Sequence, residues 1–193
     1  ENGDAESVLA MQKDVLPAMG YGKRLRKNGD ERLVLLPDHG EDFVEEGDYF
    51  FVVAAEQQPN MTATLRHNGE LPVTDLGLAT AVGVSQAVTV EPGQFKAFRV
   101  EAPVGLIGLE ARLDNAVGNP TMAITPGTTL PWPVSFIFSD YGWDLGQRTG
   151  NLYVSQGISL SNLVTFHEAA PGDYRIMVGA PPNGEGASAT LVV

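Results

Sequence analysis

Gly47-Asp48-Tyr49-Phe50-Phe51-Val52-Val53-Ala54 and Gly172-Asp173-Tyr174-Arg175-Ile176-Met177-Val178-Gly179 are two renderings of one pattern. Their Asp-Tyr pairs begin at positions 48 and 173, an offset of 125 residues. Glu45-Glu46 precedes the first copy; Ala170-Pro171, after Glu168, precedes the second. Each copy leads to a further extended run, Thr62-Ala63-Thr64-Leu65 in one case and Ser188-Ala189-Thr190-Leu191-Val192-Val193 in the other. A block that recurs with matching flanks predicts two copies of one structural unit. Its aromatic and β-branched content makes that unit β-rich.

The faces of the two strands differ. Tyr49, Phe51 and Val53 alternate onto one face, as do Tyr174, Ile176 and Val178, and this is the expected core side. The opposite face carries Phe50, Val52 and Ala54 in the first copy but Arg175, Met177 and Gly179 in the second. A strand apolar on both faces is expected where something covers the sheet. Phe50 and Val52 are therefore candidate partner-facing residues, the partner being another domain or a separate polypeptide.

Working outward, Val88 and Val90 open a strand that turns at Glu91-Pro92-Gly93 into Phe95 to Val100. Ile107, Leu109, Ala111 and Leu113 alternate with Gly108, Glu110, Arg112 and Asp114, a period-2 pattern. Strands are further predicted at 121–124, 152–154, 163–167, 174–178 and 189–193, separated by Gly/Pro turns. The predicted class is all-β: two jelly-roll-like antiparallel sandwich units in tandem, with the first incomplete at its N-terminus. Residues 88–193 form the complete unit, 71–87 a linker and 1–70 the partial unit. Its predicted core contains Ile107, Leu109, Leu113, Met122, Tyr174, Ile176 and Val178.

In the first unit, Gly3 to Leu9 falls opposite Gly118 to Ile124, and Leu33 to Leu36 opposite Leu163 to Phe166. A competing reading makes Ala5 to Leu16 a helix, since Val8, Leu9, Met11, Val15 and Leu16 lie near helical spacing behind Asp4. The strands missing from the first unit are expected from outside residues 1–66, by strand addition. The alternative is closure by residues 67–87, which contain Val73, Leu76, Leu78 and Val82.

Composition narrows the function. A net charge of −12 over 193 residues leaves no basic stripe for a phosphate backbone, so nucleic acid is not an expected partner. Lys23-Arg24-Leu25-Arg26-Lys27 is the one basic cluster and reads as a solvated loop. With no cysteine there is neither a disulfide framework nor a thiolate metal site. No apolar run reaches membrane-span length, so no insertion is expected. The opening Glu1-Asn2-Gly3-Asp4 has no signal-peptide character and suits a mature or trimmed product.

Pro92-Gly93-Gln94-Phe95-Lys96-Ala97-Phe98-Arg99-Val100, Leu109 to Leu113, Gly118-Asn119-Pro120-Thr121-Met122 and Ala170 to Val178 together resemble the bacterial pre-peptidase C-terminal domain. The closing run 189–193 extends the match, which spans 88–193 and, in part, 3–66. The acidic run common in that family after the third strand is kept in Gly3-Asp4-Ala5-Glu6 but not in Gly118-Asn119-Pro120-Thr121. The resemblance implies a β-sandwich module of a large secreted protein, extracellular or at the cell surface.

Catalytic motifs are missing from the sequence. His39, His67 and His167 have no partner at metal-helix spacing, and there is no nucleophile elbow or phosphate loop. Calcium is the one metal to consider, at Asp4 with Glu6, at Asp38 with Glu41 and Asp42, or at Asp140 with Asp144. None has calcium-loop spacing, so weak binding at most is expected, and no other cofactor. The segment from Trp132 to Tyr153 holds both tryptophans, Trp132 and Trp143, with Tyr141, and its rings suit a sugar face or a peptide. The alternative is that they cap the sandwich. The expected function is non-catalytic: a structural, adhesive or docking module whose partner is another polypeptide. The alternative is a carbohydrate-binding module that uses Trp132, Tyr141, Trp143 and Tyr153 on a glycan.

Overall fold

Short alternating runs closed by Gly and Pro turns can satisfy their backbone groups only by pairing with one another, and they do so in three sheets. The computed structural model describes residues 7–17, 23–27, 35, 44–55, 62–67, 69–131, 153–155, 163–180 and 185–193. Among these the chain is all-β, and the strands are β1 (Ser7–Lys13), β2 (Lys23–Lys27), β3 (Tyr49–Ala55), β4 (Val73–Leu78), β5 (Ser85–Val90) and β6 (Phe95–Ala102). They continue with β7 (Gly108–Val117), β8 (Thr121–Pro126), β9 (Tyr153–Ser155), β10 (Leu163–His167), β11 (Gly172–Gly179) and β12 (Ala187–Val192).

A four-stranded sheet, β10-β7-β12-β5, packs on a five-stranded sheet, β4-β6-β11-β8-β9. One apolar cluster joins them. Leu109, Ala111, Leu113, Val164, Phe166 and Leu191 come from the first sheet, and Phe98, Val100, Met122, Ile124, Tyr174, Ile176 and Val178 from the second. Phe166 meets Tyr174 edge to face, with ring centroids 5.2 Å apart. The alternation in β7 sends Leu109, Ala111 and Leu113 inward, while Glu110 and Arg112 stay exposed and pair at 2.5 Å. The sandwich pairing is antiparallel except between β4 and β6, which run parallel. A separate three-stranded sheet has the order β2-β1-β3.

Ser7 to Lys13 is a strand paired on both sides, so the strand reading of this segment holds and the helix does not form. Six of the seven predicted core residues are buried. Ile107 is the exception at 90% exposure. It lies just before β7, where its carbonyl accepts the Glu168 N–H, while Leu106 beside it packs on the core instead. Residues 71–87 are not a bare linker. They contain β4, which bonds to β6, and the first residues of β5. Val73 and Leu78 therefore extend the second sheet and do not close the first. Residues 62–67 form no strand, and Leu65 is 58% exposed, so the expected counterpart of β12 is not built there. Leu33 to Leu36, apart from Leu35, lies outside the described residues.

Candidate functional site

The two Asp-Tyr strands share their local geometry. Gly47 and Gly172 both take positive φ, 152° and 126°. Each following tyrosine bends back to a carbonyl four residues upstream: Tyr49 Oη donates to Glu45 O at 2.7 Å, and Tyr174 Oη to Ala170 O at 3.1 Å. Asp48 O accepts the Asp14 N–H at 2.8 Å, as Asp173 O accepts the Gly127 N–H at 2.7 Å. The neighbouring strands match too. β1 lies on β3 with Met11 opposite Phe51, as β8 lies on β11 with Ile124 opposite Ile176. The order β2-β1-β3 repeats β9-β8-β11, antiparallel throughout. Pairing makes Leu9 the counterpart of Met122, two residues from the alignment that set Leu9 against Ile124.

The likeness ends at the other edge. β11 continues to β6, which is paired along its length from Gly172↔Ala102 to Gly179↔Phe95. Among the described strands nothing pairs with the outer edge of β3. Asp48 turns its carbonyl to β1, so by alternation residues 51, 53 and 55 direct their N–H and C=O groups away from β1. The corresponding bond in the second sheet, Ala180 N–H to Gln94 O, runs toward β6 in the same phase.

Burial follows the missing neighbour. Ile176 and Val178 are fully buried, whereas their counterparts Phe51 and Val53 are 43% and 39% exposed. Phe51 and Val53 on the expected core face of β3 are thus partly exposed, while Met11 and Leu9, their partners on β1, are buried. On the opposite face Phe50 is 37% exposed and Val52 and Ala54 half-buried, while Met177 and Gly179 of the second copy are buried. The two copies therefore reverse the expected contrast, because it is the outer face of β11 that is covered. Phe50 and Val52 remain accessible next to the open edge.

The charges differ in the same way. Asp173 accepts from Arg99 Nε at 2.9 Å, lies 2.7 Å from Arg99 Nη2, and lies 3.3 Å from Arg175 Nη1. The Arg99 hydrogen bond holds the Asp173 carboxyl below its ordinary range, and Arg175 adds to the effect. Arg99 also reaches Asp75 at 3.0 Å and Glu101 at 3.2 Å, and these carboxylates, Asp173 first, raise its pKa further. Asp48, the counterpart of Asp173, has no cationic partner among the described residues, and Phe50 stands where Arg175 would. Lys13, across from Tyr49, is engaged by Glu45, which raises its pKa.

Of the other sequence candidates, Trp132, Tyr141, Trp143, Asp4, Glu6, Asp140 and Asp144 lie outside the described residues, as do His39, Asp38, Glu41 and Asp42. Tyr153 is in β9, paired with Ile124, and its side chain is outside them too. Lys23 to Lys27, expected as a loop, is strand β2. His67 and His167 are exposed, and no three acidic or histidine side chains gather to hold a metal among the described residues. No helix among those residues is long and apolar enough to cross a membrane. Phe51 and Val53 were assigned to the core, and nothing within residues 47–54 distinguishes an exposed copy from a buried one.

No protein-family model and no curated protein matches the chain. Among solved structures it is similar to the Aeromonas hydrophila periplasmic inhibitor of g-type lysozyme, at 14% identity and a TM-score of 0.32, over 62% of this chain and 94% of that one. A likeness of that size carries no functional argument.

Proposed function

We propose that the protein is a non-catalytic β-sandwich module, working outside the cell or at its surface, that docks onto another polypeptide through the open edge of β3. One observation carries this reading. The strand that is paired on both sides as β11 stands as β3 with no neighbour beyond its outer edge among the described strands, and Phe51 and Val53 are partly exposed there. An uncharged edge strand, Tyr49 to Ala55, has none of the lysines, prolines or bulges that protect natural edges from association. On this reading the chain is one complete and one partial copy of a unit like the pre-peptidase C-terminal domain, and the partner supplies what the first copy lacks. The sequence motifs and the repeated tyrosine geometry support that assignment.

Photo-crosslinking tests the docking role. With p-benzoylphenylalanine in place of Val53, and separately in place of the exposed Thr89 on β5, the chain is expressed in its native host and irradiated. An adduct to a different polypeptide is expected from position 53 and not from position 89. No adduct at 53, or only an adduct to a second copy of the chain, would overturn the reading.

A further inference from the structure

We infer that β4 is a detachable strap: it peels from β6 as a unit of its own while the rest of the sandwich stays folded, and the ion pair between Asp75 and Arg99 sets how often it opens. This device is independent of the docking reading, which concerns β3. Little apolar surface holds β4 down. Of residues 73–79, Ala79 belongs to the core and Leu76 packs against it, whereas Val73, Thr74, Asp75, Gly77 and Leu78 are exposed. The strand lies at the edge of its sheet and, among the described strands, pairs with β6 alone. It does so in the parallel sense, which is slightly less stable per residue. The register shifts between Asp75 and Leu78, where Gly77 takes φ 79°. A segment with few buried contacts and exposed backbone bonds opens at a lower free energy than the whole domain. β6 does not depend on it, being paired with β11 from Ala102↔Gly172 to Phe95↔Gly179 and anchored in the core by Phe98 and Val100.

The latch is polar and preformed. Arg99 Nη1 donates to both carboxylate oxygens of Asp75, at 3.1 and 3.0 Å. The same guanidinium is fixed by Asp173, 2.7 Å from Nη2, and by Glu101 of its own strand at 3.2 Å. Release of β4 therefore leaves Arg99 in place to receive Asp75 again. Asp75 has a second task, since its Oδ1 accepts the Gly77 N–H at 2.9 Å where the register shifts. Asparagine keeps that acceptor and loses the charge, so Asp75→Asn isolates the ion pair. Opening uncovers one set of backbone groups on β6. Glu101 O accepts the Ala79 N–H, so by alternation residues 97 and 99 also turn toward β4, and residues 98 and 100 toward β11. The bond from Ala180 N–H to Gln94 O keeps the same phase.

The test is native-state amide exchange on the full chain, followed by NMR with urea raised below the unfolding transition. The amides of Ala79, Ala97 and Arg99 are expected to exchange as one class, at least about tenfold faster than those of Phe98, Val100 and Ile176. Their urea dependence should also be much shallower, because the opening exposes little surface. Neighbours on β6 thus fall alternately into two classes, a pattern that fraying of the whole strand cannot produce. Asp75→Asn should speed the first class by about three- to fivefold and leave the second unchanged. Salt at about 1 M should have the same effect on the parent chain and none on Asp75→Asn. One urea slope and one rate shared by all of these amides would overturn the detachable strap. Unchanged exchange of the first class in Asp75→Asn would overturn the latch. The first comparison uses the unaltered chain, so a variant that fails to fold cannot decide it.

Discussion

Ile176→Ala and Phe51→Ala truncate the same position of the repeated strand, and they are expected to differ several-fold in cost. Ile176 is fully buried in β11, with Phe98 opposite it on one side and Ile124 on the other. Both neighbours are held in paired strands, so the cavity left by the lost carbons cannot collapse. Truncations of this kind cost about 2–5 kcal/mol, and the walled site favours the upper part, about 3–5 kcal/mol. Phe51 has Met11 opposite it on one side, no strand on the other among the described residues, and is 43% exposed. Full burial of a phenylalanine is worth about 1.5–3 kcal/mol, so roughly half that, about 1 kcal/mol, is at stake. In urea melts with a slope of about 2 kcal/mol/M, the midpoint should fall by about 1.5–2.5 M for Ile176→Ala and about 0.5 M for Phe51→Ala. The isolated chain must be used, since a docked partner would bury Phe51 and raise its cost. Equal shifts, or a larger shift for Phe51→Ala, would refute the contrast between an enclosed Ile176 and a partly exposed Phe51.

Gly118→Ala should destabilise the sandwich by at least about 1–3 kcal/mol in the same melts, because Gly118 has φ 75° and an added Cβ would sit 2.0 Å from the Gly186 carbonyl oxygen. Gly105→Ala, with φ 85° but open space around it, should cost less. The Asp173 carboxyl has a folded pKa below its ordinary value near 3.8, so its contribution is present above that pH and is lost as pH falls through the folded value. Asp173→Asn should accordingly flatten the loss of stability below about pH 4, measured as melting temperature against pH.

Strand identity was legible because a pairing strand imposes its period on the residues themselves. Leu109, Ala111 and Leu113 announce an inward face, and the Gly-Asp-Tyr block announces its own recurrence. Even the misjudged alignment of β1 did little harm, since a shift of two residues keeps every side chain on its face. What was not legible depends on residues far away in the chain. Ile107 continues the alternation, yet the strand begins one residue later, and Leu106 takes the core position. Val73 to Leu78 includes Asp75 and Gly77 and lacks a strand's alternation, but the edge of β6 accepts it in parallel.

The exposure of Phe51 and Val53 belongs to the same class of nonlocal fact, and it bears on function. A strand's sequence specifies which face is apolar, not whether anything is present to cover it. Phe51 and Ile176 answer to one pattern and lie on strands of like backbone geometry, and among the described strands they differ in the neighbour beyond the edge. Among the described strands β3 has no neighbour beyond its outer edge, so Phe51 and Val53 contribute less to stability than Ile176 and Val178 do. On the proposed docking reading, burial of Phe51 and Val53 by an incoming strand would restore that contribution.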